Sequence, residues 1–168
     1  MKKIPKTKKA RLRAILLELS MLVAKLKAID DHWYTMCCTC AKRQHRTLMD
    51  WGHFMEQSRG DSTRFELNNI NAQCKWCNMS ASGRQYEHWK YIDRKYWEGS
   101  VDELKQQSYK LSNWTMTSIE DAINYRTALI ASIYIDMTII QKRMLKDYCE
   151  KASRKRKTKD LLLELYNV

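Results

Sequence analysis

Two C-x-x-C pairs, Cys37-Cys38-Thr39-Cys40 and Cys74-Lys75-Trp76-Cys77, enclose one stretch of this chain. Each pair forms a knuckle whose thiolates converge on a point, and two knuckles complete a tetrahedral zinc site. Cys37 fits the first knuckle better than Cys38, because C-x-x-C suits that turn and C-x-C does not. A zinc closed by four sulfurs has no open position, so it staples and does not catalyse. Any chemistry therefore lies between the knuckles. The segment Asp50-Trp51-Gly52-His53-Phe54 stands there, and His53 is the histidine that follows a glycine turn. His32, His45 and His88 read as surface or packing residues.

The elements that must position these groups are mostly helical. Four glycines and one proline in 168 residues are few for a chain of many strands and tight turns. A first helix is predicted over 8–30. Its apolar residues Leu12, Ile15, Leu19, Leu22, Leu26 and Ile29 form a seam spaced three and four, widened by Leu16 and Val23. That seam packs on the same chain or across a homodimer. Between the knuckles we expect a short hairpin, with 47–50 as one strand and Gly52, His53 and Phe54 at its turn or start. A loop follows at 58–61, then an extended or turning segment at 65–70 and a helix from Cys77 through Tyr86. Tyr86, Trp89, Tyr91, Tyr96 and Trp97 could stack on bases, but their helical spacing favours core. A polar-faced helix is expected over 101–111. Thr117 to Glu120 read as the capping box of the longest helix, running to Cys149 with the seam Ile130, Ile133, Met137, Ile140 and Met144. The chain thus divides into a basic arm and helix (1–30), a stapled core (31–95), a helical region (96–150), and a basic linker with a short apolar helix (151–168).

The formal net charge is +12. Seven basic residues stand in 2–13 and six in 151–159, and outside these two clusters 18 basic residues meet 19 acidic ones. The terminal clusters carry the whole excess, and residues 37–90 add a mild local surplus. That distribution suits a nucleic-acid partner. The one long apolar run, 128–140, is interrupted by Asp136 and too short to span a bilayer. Paired cysteines without an export signal point to a reducing cytoplasm.

The residues Gly52-His53-Phe54, Arg64-Phe65, Asn69 to Cys74, Cys77-Asn78 and Ser82-Gly83 resemble the lambda NinG (Rap) recombination proteins. Leu104, Trp114, Thr115, Ile119 and Tyr125-Arg126 extend the resemblance, which covers roughly 37–130. It implies an HNH, or ββα-metal, nuclease: an α+β, mostly helical fold with a small zinc-knuckle core flanked by long N- and C-terminal helices. It also implies cleavage of DNA in branched, Holliday junction-like recombination intermediates, in the cytoplasm of a bacterial host. In that pattern His53 is the general base, Asn78 the ligand of a catalytic magnesium or manganese, and Asn69 the structural asparagine, with Asn71 its alternative. The chemistry suits these types. A neutral imidazole activates water near pH 7, and amide or carboxylate oxygens suit a hard cation.

Two positions depart from the pattern. Gly52 stands where many HNH nucleases carry a metal-binding aspartate or histidine. The nearest carboxylates are Asp50 and Glu56, of which Asp50 is the expected second magnesium ligand beside Asn78, the alternative being a metal resting on Asn78, waters and the substrate phosphate. Arg84 stands where an asparagine is expected. Arg59, Arg64, Lys75, Arg84, Lys8, Lys9, Arg154 and Arg156 are the expected phosphate contacts. Two other readings stay open: a non-catalytic DNA-binding recombination mediator, and a helical adaptor whose zinc is purely structural.

Overall fold

The computed structural model describes residues 7–59 and 62–152. The described residues form two compact units, one over 20–114 and the other from 7–19 together with 115–152. The architecture is α+β and mostly helical, with two small antiparallel sheets of two strands each.

Helix α1 covers Lys8–Ala28. Thr7 caps it, its hydroxyl accepting from the Ala10 amide at 3.2 Å. Leu16, Leu19, Leu22, Val23 and Leu26 are buried, whereas Leu12 and Ile15 are only half-buried. The residues expected to widen the seam therefore lie at its centre. No acid stands in the first turn, so Lys8 and Lys9 sit at the positive end of the helix dipole. Cations are disfavoured there.

In the unit over 20–114, β1 (Tyr34–Met36) and β2 (Arg43–His45) form a ribbon whose connection carries the first knuckle. Strand β3 (Met49–His53) pairs with β4 (Ile70–Cys74), which ends on the first cysteine of the second knuckle. The register sets Asp50 opposite Gln73 and Gly52 opposite Asn71. Gly52 and His53 thus belong to a paired strand and not to a turn. Met49 and Trp51 share the other face with Ala72 and Cys74, packed against Cys37 and Cys77.

The regular helix expected from Cys77 is also corrected. Residues Trp76–Ser80 make a single π turn, closed by the Ala81 amide on the Trp76 carbonyl at 3.0 Å, and Ser82–Arg84 a 3-10 turn. Helix α2 begins only at Gln85 and ends at Lys95. Ser82, Gly83 and Arg84 all have positive φ, at 50°, 75° and 45°, which a continuous helix cannot contain. Helix α3 covers Ser100–Ser108. Asp93 starts it by accepting from the Val101 amide and the Ser100 hydroxyl, both at 3.1 Å.

Phe54, Met55, Ile92, Val101 and Leu104 form the core beside these helices, with Tyr91 and Tyr96 packed on it. The core expectation fails for three aromatics: Tyr86, Trp89 and Trp97 are 58%, 38% and 49% exposed. Tyr86 and Trp89 lie on the flank of α2's buried stripe, and Trp97 stands in the connection between α2 and α3.

In the other unit, α4 (Met116–Ile135) is capped by Thr115 and Ser118, each side chain accepting from the other's backbone amide. The box thus sits two residues before Thr117. The helix also does not run to Cys149. Thr138 and Gln141 make a second reciprocal cap, at 3.2 and 2.8 Å, and open α5 (Ile139–Ala152). The buried face of α4 is Ile119, Ile123 and Ile130, while Ile140 is 69% exposed, so no single seam continues through the break. The short apolar helix expected within 151–168, and Arg154 and Arg156, lie outside the described residues.

Candidate metal and catalytic site

The sulfurs of Cys37, Cys40, Cys74 and Cys77 all lie within 4.8 Å of one another, with Cys40 and Cys74 3.9 Å apart. Four zinc–sulfur bonds of about 2.3 Å in a tetrahedron separate sulfurs by about 3.8 Å. The four could hold a metal ion such as zinc. The first knuckle is closed by the Cys37 amide on the Lys42 carbonyl and the Ala41 amide on the Cys37 carbonyl, with Ala41 left-handed at φ 58°. Burial opposes ionisation of Cys37. The Thr39 hydroxyl and the amides of Cys74, Thr39 and Cys40 outweigh it and bring the thiol down to about 6. Cys38 stands apart from the four: burial, and then the Cys37 charge, push its thiol up.

His53 closes β3. Its Nε2 donates to the Arg64 carbonyl at 3.1 Å, so the neutral ring presents its lone pair at Nδ1. The Gln57 amide nitrogen sits 3.1 Å from that atom. Burial holds His53 below the ordinary histidine value. The Arg64 carbonyl acts in the opposite direction, and the Arg64 guanidinium adds to the lowering.

Asn69 is fully buried. Its Oδ1 accepts from the Met55 amide at 2.7 Å, and its Nδ2 donates to the carbonyls of Met55 and Thr63 at 3.1 and 2.9 Å. It therefore ties the segment after His53 to the turn that precedes β4. Asn71 makes no such clamp. Its Nδ2 donates to the Asn68 carbonyl at 3.0 Å, and its buried Oδ1 has no partner.

Asn78 sits in the π turn directly after buried Cys77 and donates through Nδ2 to Asp50 Oδ2 at 3.2 Å. With its nitrogen held by that carboxylate, its Oδ1 faces Gly52. A Cβ on Gly52 would lie 2.7 Å from Asn78 Oδ1 and 2.3 Å from Gln73 Oε1. A side chain here would displace the ends of Gln73 and Asn78, so the glycine makes room for two side-chain oxygens and does not mark a turn. Glu56 is exposed and bonded to the Ser58 hydroxyl at 3.1 Å. The donor set at Gly52 consists of hard oxygens, which suits a magnesium-like cation.

The expected phosphate contacts are spread out. Arg59 lies in the short turn Gln57–Arg59, and Arg64 is half-buried beside His53. Lys75 is exposed between the cysteines of the second knuckle. Arg84 pairs with Glu87, and Lys8 with Glu120 at 3.2 Å. Gln57 and Gln73 are the residues the sequence did not single out. Period-two alternation back from Cys74 puts Gln73 on the face opposite the cysteine, whereas nothing local marks Gln57.

No described helix is long and apolar enough to cross a membrane. No curated protein and no solved structure matches the chain. The family described as Bacteriophage Lambda NinG protein matches residues 7–134, taking in α1 as well as the knuckles and α4. That match covers more than half of the sequence, and the chain belongs to this NinG family.

Proposed function

We propose that this protein is a zinc-stapled HNH-type endonuclease that hydrolyses phosphodiester bonds in DNA, with branched recombination intermediates as its substrate and the bacterial cytoplasm as its place of action. The observation that carries the reading is the state of His53. Its tautomer is held by a backbone carbonyl, its basic nitrogen is Nδ1, and the residue before it on β3 is the glycine on which Asn78 and Gln73 oxygens converge.

The division of labour follows from these groups. His53 Nδ1 takes a proton from the attacking water once the exposed Gln57 amide has moved aside. Asn78 holds the oxygen side of its amide over Gly52 because Asp50 holds the nitrogen side, which makes Asp50 a positioning residue. Asn69 keeps the strand end and the following turn in register. A divalent magnesium or manganese bound among these oxygens would supply Lewis-acid stabilisation of the charge that develops on the phosphoryl and leaving oxygens. The zinc would fix the π turn through Cys77 and so the position of Asn78. The preference for branched DNA rests on the family alone.

His53→Ala tests the reading. Cleavage of a four-way or flapped DNA should fall by on the order of a hundredfold to ten-thousandfold, with zinc content and DNA affinity retained. Because the base must be neutral, its lowered pKa should put the acid limb of kcat/KM below the ordinary histidine value of about 6.5. DNA binding without any magnesium-dependent cleavage would favour the recombination-mediator reading.

A further inference from the structure

Gly52 removes the side chain that commonly holds the cation directly before the base, and the sheet offers a replacement. Cross-strand partners point to the same face, as do residues two apart on one strand. Asp50, Gly52, Asn71 and Gln73 therefore share one face of the β3–β4 pair. Gln73 is 1% exposed, and its amide is not free to rotate: Nε2 donates to the Gly83 carbonyl at 2.8 Å. That bond turns Oε1 toward Gly52, where it lies 2.3 Å from the position of the missing Cβ. Asn78 Oδ1 reaches within 2.7 Å of the same point, its own nitrogen held by Asp50. Two carbonyl oxygens, each aimed by a hydrogen bond on its amide nitrogen, thus crowd one spot. A hard divalent cation bonded to both oxygens at about 2.1 Å would sit between them and beyond the Cβ point, which is too near the Gly52 Cα to be the ion's own position. A third amide oxygen, Asn71 Oδ1, is buried and unpartnered at the register position opposite Gly52. A buried acceptor without a donor is costly unless something satisfies it.

We propose that Gln73 is a metal-ligand residue, its Oε1 and Asn78 Oδ1 holding the divalent cation in the place of the side chain that Gly52 lacks. This deepens the nuclease reading and rests on it for the cation's role. The alternative is that Gln73 only ties β4 to the turn at Gly83.

The two are separated with Mn²⁺ as the probe, on full-length zinc-loaded protein, by calorimetry and by electron paramagnetic resonance of free Mn²⁺. Gln73→Met should weaken Mn²⁺ binding at least about tenfold while zinc stoichiometry stays unchanged. Gly52→Asp alone should bind no better than wild type, since its Cβ collides with Gln73 Oε1. Gly52→Asp combined with Gln73→Ala opens that space and should restore wild-type affinity or exceed it. In the wild-type protein, which avoids any folding defect, substoichiometric Mn²⁺ should selectively broaden the side-chain amide signals of Gln73 and Asn78. Unbroadened Gln73 signals, or equal Mn²⁺ affinity in wild type and Gln73→Met, would overturn the proposal while leaving the nuclease reading standing. A wild-type protein that neither binds Mn²⁺ nor cleaves DNA would overturn both.

Discussion

His88 is buried on α2, edge-on to Phe54 with ring centroids 5.4 Å apart, and neither ring nitrogen has a hydrogen-bond partner. Burial, with the His53 charge as the lesser cause, brings its pKa down to about 4. The unfolded chain keeps the ordinary value of about 6.5 and binds the proton more readily in between. The stabilisation is therefore complete above about pH 6.5 and is lost as pH falls toward 4, by about 3 kcal/mol. His88→Phe keeps the ring contact and removes the titration. Urea midpoints at pH 7 and pH 4 should differ less in this variant than in wild type, and an unaltered difference would contradict the assignment. Asn69 is the second residue whose worth is local. Replacing it by alanine leaves the Met55 amide and the Met55 and Thr63 carbonyls unpaired in the interior, at about 1–3 kcal/mol each. Asn69→Ala should lose about 3 kcal/mol or more by chemical denaturation, where a merely exposed asparagine would lose almost nothing.

The knuckles were legible in the sequence because zinc-binding spacing is a local property, and the element between them was not. Strand β4 reads Ile-Asn-Ala-Gln-Cys, poor in β-branched and aromatic residues, yet every position is buried. Its strand character comes from pairing with β3 and from the side chains stacked above it. Gly52 misled for the same reason. Glycine suggests a turn locally, while the cause here is Gln73 and Asn78, 21 and 26 positions further along. The joint between α4 and α5 lay inside an apolar run, marked by Asp136 at the end of α4 and by the reciprocal Thr138–Gln141 bonds that open α5. Arg84 shows the opposite case, in which the sequence raised a question that the backbone answers. At φ 45° it occupies a left-handed position that asparagine tolerates better, held by its pair with Glu87. Arg84→Asn should therefore raise stability by up to about 1 kcal/mol, read as a higher urea midpoint. A lower midpoint would mean that the Glu87 contact outweighs the backbone strain.

At the scale of the molecule, the four-cysteine cluster and the basic clusters should be separable. If the four thiolates bind zinc, metal analysis should give one zinc per chain. Cys74→Ser should then unfold the region around β3 and β4, because binding free energy there is folding free energy. The terminal clusters should act on affinity alone. Lys8 and Lys9 sit against the helix dipole, and the exposed Lys8–Glu120 pair costs little to exchange for a phosphate oxygen. Deleting residues 1–9 or 151–159 should weaken DNA binding for all sequences and flatten its dependence on salt. An unchanged slope in both truncations would assign the contacts to Arg59, Arg64, Lys75 and Arg84. Whether the chain cuts DNA is decided by zinc-loaded protein with a four-way junction, in magnesium against chelator, beside the His53→Ala variant. Wild type should cleave in magnesium and not in chelator, and the variant should lose at least about a hundredfold at equal DNA binding. Tight binding of the junction with no magnesium-dependent cleavage by the wild-type protein would contradict the nuclease reading.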